Sequence, residues 1–78
     1  MNIKIALSKA ESILKNSSVS TPALDAGVIL CFVLGCEYAY ILTHQEHELS
    51  LDEESKYFSL INLRAAGDPI QYLTGNKE

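Results

Sequence analysis

Residues 24–36, LDAGVILCFVLGC, form a nearly unbroken apolar stretch in mid-chain, and Asp25 is their only charged member. A segment of this kind cannot keep water on most of its sides; it calls for neighbours that cover it. Its longest uncharged part, residues 26–36, is about half of what a helix needs to cross a bilayer. Its place in mid-chain is also wrong for the apolar region of a signal peptide, and the N-terminal MNIKIALSKAE has no cleavage pattern. The stretch therefore reads as the central helix of a water-soluble core, with the other elements packed all round it. The residues before it fit a helix start: Thr21 offers a hydroxyl N-cap and Pro22 takes the first helical position. Asp25 lies in the first turn, where negative charge complements the helix dipole, and Gly35 suits the C-terminal cap.

Both flanks carry amphipathic patterns. Ile3, Leu7, Ala10 and Leu14 recur at helical spacing, with Ala6 and Ile13 widening the stripe, which predicts a helix over 3–16. Glu11 and Lys15 form an i,i+4 pair on its other side, and the polar residues 16–20 close it. A short helix over 37–43 follows the central one, and residues 44–49 read as a polar loop. Ser50 and Glu53 have capping-box spacing. They open a helix that continues to Ala66, with Tyr57, Phe58, Ile61 and Ala65 on one face and Asp52 paired with Lys56 on another. Gly67 ends it, and Asp68-Pro69 starts a last short helix over 69–74 that Gly75 stops. The expected fold class is all-α, a small antiparallel bundle of about five helices, two of them short. At 78 residues the chain makes one domain, with residues 3–75 as its body and residues 76–78 as the start of a linker.

Several function classes fall away on charge and residue type. The formal net charge is −4, and the six cations, Lys4, Lys9, Lys15, Lys56, Arg64 and Lys77, are scattered rather than striped. Nucleic acid and anionic membrane surfaces are bound through clustered Lys and Arg, so neither is an expected partner. His44 and His47, with Glu46 and Glu48 beside them, have loose spacing and no third His or Cys in support, so they read as solvated loop residues and no metal site is expected. The five carboxylates between Glu46 and Glu54 read as a solvated face and a helix N-terminus. Gly27, Gly35, Gly67 and Gly75 are isolated and make no phosphate loop, and no nucleophile stands with a poised base. Tyr38, Tyr40, Tyr57 and Tyr72 read as core-edge residues that also suit an interface. Cys31 and Cys36, placed on one helix, would point about 140° apart, so a bridge between them would require breaking that helix. They are read as buried thiols, in keeping with a reducing cytoplasm. The residues thus predict a cytoplasmic module with no catalytic, cofactor-binding or metal-binding residues of its own.

Two segments carry a family resemblance. Thr21-Pro22-Ala23-Leu24-Asp25-Ala26-Gly27-Val28-Ile29-Leu30 resembles a P-x-L-D-A-E-x-L-L helix start, with Val33-Leu34-Gly35 as its usual ending. Arg64-Ala65-Ala66-Gly67-Asp68-Pro69-Ile70-Gln71-Tyr72-Leu73-Thr74-Gly75 resembles the more specific R-x-x-G-E-P-I-x-Y-L-T-G signature. Both occur in this order in the N-terminal domain of the peptide chain release factor glutamine methyltransferases, the HemK/PrmC family, and the resemblance spans residues 3–78. Three positions depart from the pattern. Gly27 stands where glutamate is frequent, Phe32 where histidine is common and Leu63 where arginine is frequent, which argues against polar roles there. Gly27 also costs about 1 kcal/mol of helix propensity relative to alanine, which a close helix–helix approach would offset.

The resemblance implies a bidomain parent. A helical domain comes first, then a short linker, then a Rossmann-like domain that binds S-adenosylmethionine and holds the substrate glutamine with an Asn-Pro-Pro-Tyr motif. Such enzymes N5-methylate the glutamine of the Gly-Gly-Gln motif in class 1 peptide chain release factors. The implied partners are the release factor, which the helical domain helps to bind, and the methyltransferase domain in cis. The cofactor glycines and the Asn-Pro-Pro-Tyr motif are missing from these 78 residues, so the chain alone should be inactive. The alternatives are an acyl or peptidyl carrier protein, also an acidic helical bundle, and a helical protein-interaction module of some other protein. A carrier needs Asp-Ser-Leu at a helix start; here Leu49 precedes Ser50-Leu51, and a capping box already accounts for Ser50.

Overall fold

The local signals translate into four helices in the computed structural model, which describes residues 1–69. They are α1 (Ile3–Asn16), α2 (Pro22–Leu34), α3 (Tyr38–Thr43) and α4 (Leu51–Ala65). The protein is all-α, and the one β-type pairing among the described residues is an isolated bridge between Asn2 and Glu48. Residues 70–74 of the last short helix, Tyr72, Gly75 and the linker start at 76–78 lie outside the described residues.

Caps account for where the helices begin. The Ser50 hydroxyl accepts from the Glu53 amide at 3.1 Å while the Ser50 amide donates to Glu53 Oε1 at 2.9 Å, a complete capping box. Asn2 caps α1 by accepting from the Ile5 amide at 2.9 Å. The next free amides of α1, those of Ile3 and Lys4, donate to the carbonyls of His47 and Gln45, each at 3.0 Å. The segment between α3 and α4 is therefore more than the polar loop expected of residues 44–49. Its backbone satisfies donors that a helix N-terminus leaves open, and its last residue, Leu49, is buried in the core. Alternation with the polar residues around it hid that role.

Three of the four helix ends share one device. After α1, α2 and α4 the chain passes through a left-handed residue, Ser18 (φ 65°), Gly35 (φ 68°) and Gly67 (φ 114°). The following amide turns back to a carbonyl five residues earlier: Val19 to Leu14, Cys36 to Cys31, and Asp68 to Leu63. One expectation is corrected here. Cys36 does not continue the helix of Cys31; it lies past the Gly35 turn and is folded back toward it, and both thiols are half-buried rather than buried.

Packing centres on α2, which touches α1, α3 and α4, while α1 and α4 also pack on each other. Ile3, Ala6, Ala10 and Leu14 of α1 meet Ala26, Ile29 and Leu30 of α2 and Tyr57 and Ile61 of α4 in one fully buried cluster. Each large apolar side chain in it contributes roughly 1.5–3 kcal/mol relative to exposure. The close approach that Gly27 requires is provided by α3: a Cβ at Gly27 would sit 2.7–2.8 Å from the end of the Tyr38 ring.

Tyr57 joins the apolar core to a polar tie. It is fully buried, sets its ring edgewise on Phe58 at 5.0 Å, and donates its hydroxyl to the Ala26 carbonyl at 2.8 Å. Burial raises the pKa of its phenol, with smaller contributions from Cys31 and Tyr38. Tyr57→Phe should cost about 0.5–1.5 kcal/mol in urea denaturation. A raised folded-state pKa leaves stability intact below about pH 10, where an unfolded tyrosine begins to ionise, and erodes it as pH rises further. Tyr57→Phe should flatten that alkaline loss; an unchanged pH profile would contradict the burial argument.

Candidate functional site

The two sequence motifs converge on one ion pair. Asp25, near the start of α2, is 6% exposed and receives Arg64 Nε on Oδ2 at 2.9 Å and the Thr21 hydroxyl on Oδ1 at 3.1 Å. Arg64, at the end of α4, also donates from Nη1 to the Asp68 carbonyl at 3.2 Å. The aspartate of the first motif and the arginine of the second, 39 residues apart, thus lock one end of α2 to one end of α4. Two expectations change. Asp25 is a buried partner of Arg64 and not simply a complement to the helix dipole. Thr21 occupies the N-cap position but its side chain caps no amide; its hydroxyl donates to the Asp25 carboxylate instead, one of the donors a buried carboxylate needs.

Among the described residues, the others singled out do not assemble into a reacting centre. His44 and His47 gather around Tyr40: the His44 ring stacks on it at 3.9 Å, and His47 meets it edge-on at 6.0 Å. His44 Nδ1 lies 3.1 Å from the Tyr40 carbonyl and 2.9 Å from the Thr43 hydroxyl, so the turn itself engages it. Among the described residues, no three of His, Cys, Asp and Glu converge as a metal site would require. Of the carboxylates from Glu46 to Glu54, Glu46, Glu48 and Asp52 are exposed, and Asp52, Glu53 and Glu54 stand in the first turn of α4, as expected of a solvated face and a helix N-terminus, while Glu54 has a further role. Glu53 closes the capping box, and Glu54 is half-buried and pairs with the Met1 ammonium, with Glu48 at 3.6 Å from the same group. The hydrogen bond to Glu54 is the chief cause that raises the pKa of that ammonium. Ser50, the residue a carrier protein would modify, is committed to its cap.

One face of α2 stays open. Leu24, Val28 and Phe32 stand four apart and so share a stripe; Leu24 is 53% exposed and Phe32 44%, with Val28 and Cys31 half-buried beside them. The expectation that α2 is covered on all sides is corrected: three neighbours do not close around a helix that is apolar throughout, and this stripe is what they leave. Phe32 and Leu63, two of the departures noted above, are both exposed apolar residues here, while the third, Gly27, is buried under Tyr38. No helix among the described residues is long and apolar enough to cross a membrane.

Among the described residues, then, the module combines an internal ion pair with an exposed apolar stripe on α2. Comparison with known sequences gives the family. The family described as the PrmC N-terminal domain matches residues 6–75, and the chain belongs to that family. Proteins named release factor glutamine methyltransferase are similar to it over all 78 residues: 38% identical in Koribacter versatilis, 36% in Vibrio cholerae and 35% in Clostridium botulinum. The chain spans 27–28% of the length of these relatives. No solved structure is significantly similar to it.

The ion pair generates a direct test. Arg64→Ala leaves the Asp25 carboxylate buried with the Thr21 hydroxyl alone and should cost about 2–3 kcal/mol in urea denaturation. In a double-mutant cycle with Asp25→Ala, the two losses should fall short of additivity by about 1–2 kcal/mol. Strict additivity would mean that the pair is incidental.

Proposed function

We propose that this domain is the substrate-docking part of an S-adenosylmethionine-dependent methyltransferase that N5-methylates the glutamine of the Gly-Gly-Gln motif in class 1 release factors. In this reading residues 3–75 are the docking body, residues 76–78 lead into the catalytic domain in cis, and cofactor and catalytic residues belong to that second domain. The observation that carries the reading is the family match across the whole helical body, in a chain that covers little more than a quarter of each relative's length.

The physical case for docking rests on selectivity. One glutamine side chain offers too little surface to single out one protein among many. Remote contacts must supply the specificity, and their binding energy also positions the reacting amide. A net charge of −4 favours a basic face on the partner, and such contacts mainly raise the association rate and weaken with salt. The stripe at Leu24 and Phe32 adds apolar area that α1, α3 and α4 leave exposed.

Deleting residues 1–75 from the full-length enzyme should lower kcat/KM for intact release factor far more than for a short Gly-Gly-Gln peptide, with the gap narrowing as salt rises. Equal losses on both substrates would assign the domain a purely structural role and remove the docking proposal.

A further inference from the structure

The turn that ends α2 does something to its two cysteines that a continuous helix would forbid. Five residues of helix rise about 7.5 Å, and Cα atoms more than about 7 Å apart cannot be bridged without moving the backbone. Here Gly35 adopts the left-handed conformation, and the Cys36 amide donates to the Cys31 carbonyl at 3.2 Å. With an amide of one residue bonded to the carbonyl of the other, ordinary backbone bond lengths hold the two Cα atoms within about 6.5 Å. That lies inside the span of a disulfide. Helix ends of this form usually place an apolar contact between the two residues so joined. Leu14 and Val19 hold those positions at the end of α1, and at the end of α2 both are cysteines.

From this backbone geometry we infer that Cys31 and Cys36 form a dithiol site, open to oxidation by a small-molecule disulfide and able to close into an intramolecular disulfide without unfolding the domain. Both thiols are free and half-buried, so reagents reach them. Their order of reaction follows from their surroundings. Burial, reinforced by the neighbouring Cys36, pushes the Cys31 thiol up to about 11, which makes it the poorer initial nucleophile. Cys36, as thiolate, attacks the reagent disulfide; a mixed disulfide forms and one reagent thiolate leaves, taking up a proton from water. Cys31 then gives its proton to water and attacks the Cys36 sulfur. The Cys31–Cys36 bond forms, the second reagent thiolate departs and is protonated, and the two electrons lost by the protein thiols reside in the two reagent thiols.

The test uses oxidised glutathione on the reduced protein, read by intact mass. The folded chain should accumulate a species lighter by two hydrogens. Cys31→Ser and Cys36→Ser should each stop at a glutathione adduct, with adduct formation slower in Cys36→Ser. In a concentrated urea solution, where the Gly35 turn is lost, the ratio of closed disulfide to mixed disulfide in the wild-type chain should fall at least tenfold. Two results would overturn the inference: stable glutathione adducts on the folded wild-type chain with no closed species, or the same closed-to-mixed ratio in buffer and in urea. The latter would mean that closeness in sequence, and not the turn, brings the thiols together.

Discussion

The buried carboxylate of Asp25 is the constraint around which the helices are arranged. A charge withdrawn from water must be met by donors at short range, and the donors that meet it, Arg64 and Thr21, come from the far end of α4 and from the residue before α2. Only one placement of α4 along α2 allows this. The same placement brings the Tyr57 hydroxyl to the Ala26 carbonyl, one residue beyond Asp25 and about two turns earlier on α4. Apolar packing between the two helices would tolerate slippage, because one aliphatic contact resembles the next. An ion pair and a buried hydrogen bond do not slip, so they fix the register in which Ile29, Leu30 and Ile61 then pack.

With α4 fixed on α2, the remaining elements follow. α1 closes the third side through Ile3, Ala6, Ala10 and Leu14, and its free amides are taken by the backbone of the segment between α3 and α4. That segment is thereby held in place and can bury Leu49. α3, only six residues long, covers what a three-helix arrangement would leave open at Gly27, where the Tyr38 ring occupies the space of the missing side chain. The stripe of Leu24, Val28 and Phe32 is the part of α2 that none of these elements reaches. A helix so apolar retains an adhesive face after its neighbours are in place, which suits a domain whose proposed work is to hold another protein.

Much of this was legible beforehand. The helices stand close to where hydrophobic periodicity put them, the capping box at Ser50 and Glu53 formed, and Gly35 and Gly67 ended α2 and α4 through positive φ. The family, too, could be read from the segments that begin at Thr21 and Arg64. Less legible was what those segments do physically. Asp25 resembled an ordinary first-turn acid complementing its helix dipole and Arg64 one of six scattered cations, and nothing local says that they are partners. The signal available was their membership in two separate motifs of a single family.

What the sequence by itself determined is the set of helices and their caps, because these rest on contacts three to five residues apart that the chain makes wherever it goes. Ser50 and Glu53 find each other through side chains that reach only the nearest amides, and Gly35 turns Cys36 back onto Cys31 through backbone geometry. Only the tertiary structure decided which charges are buried and which apolar residues are not. Thr21 gave up its cap, Leu49 entered the core and Phe32 stayed in water because burial is set by what arrives from elsewhere in the chain. The Thr21 hydroxyl points to the Asp25 carboxylate, and that carboxylate can be buried only because α4 delivers Arg64 to it.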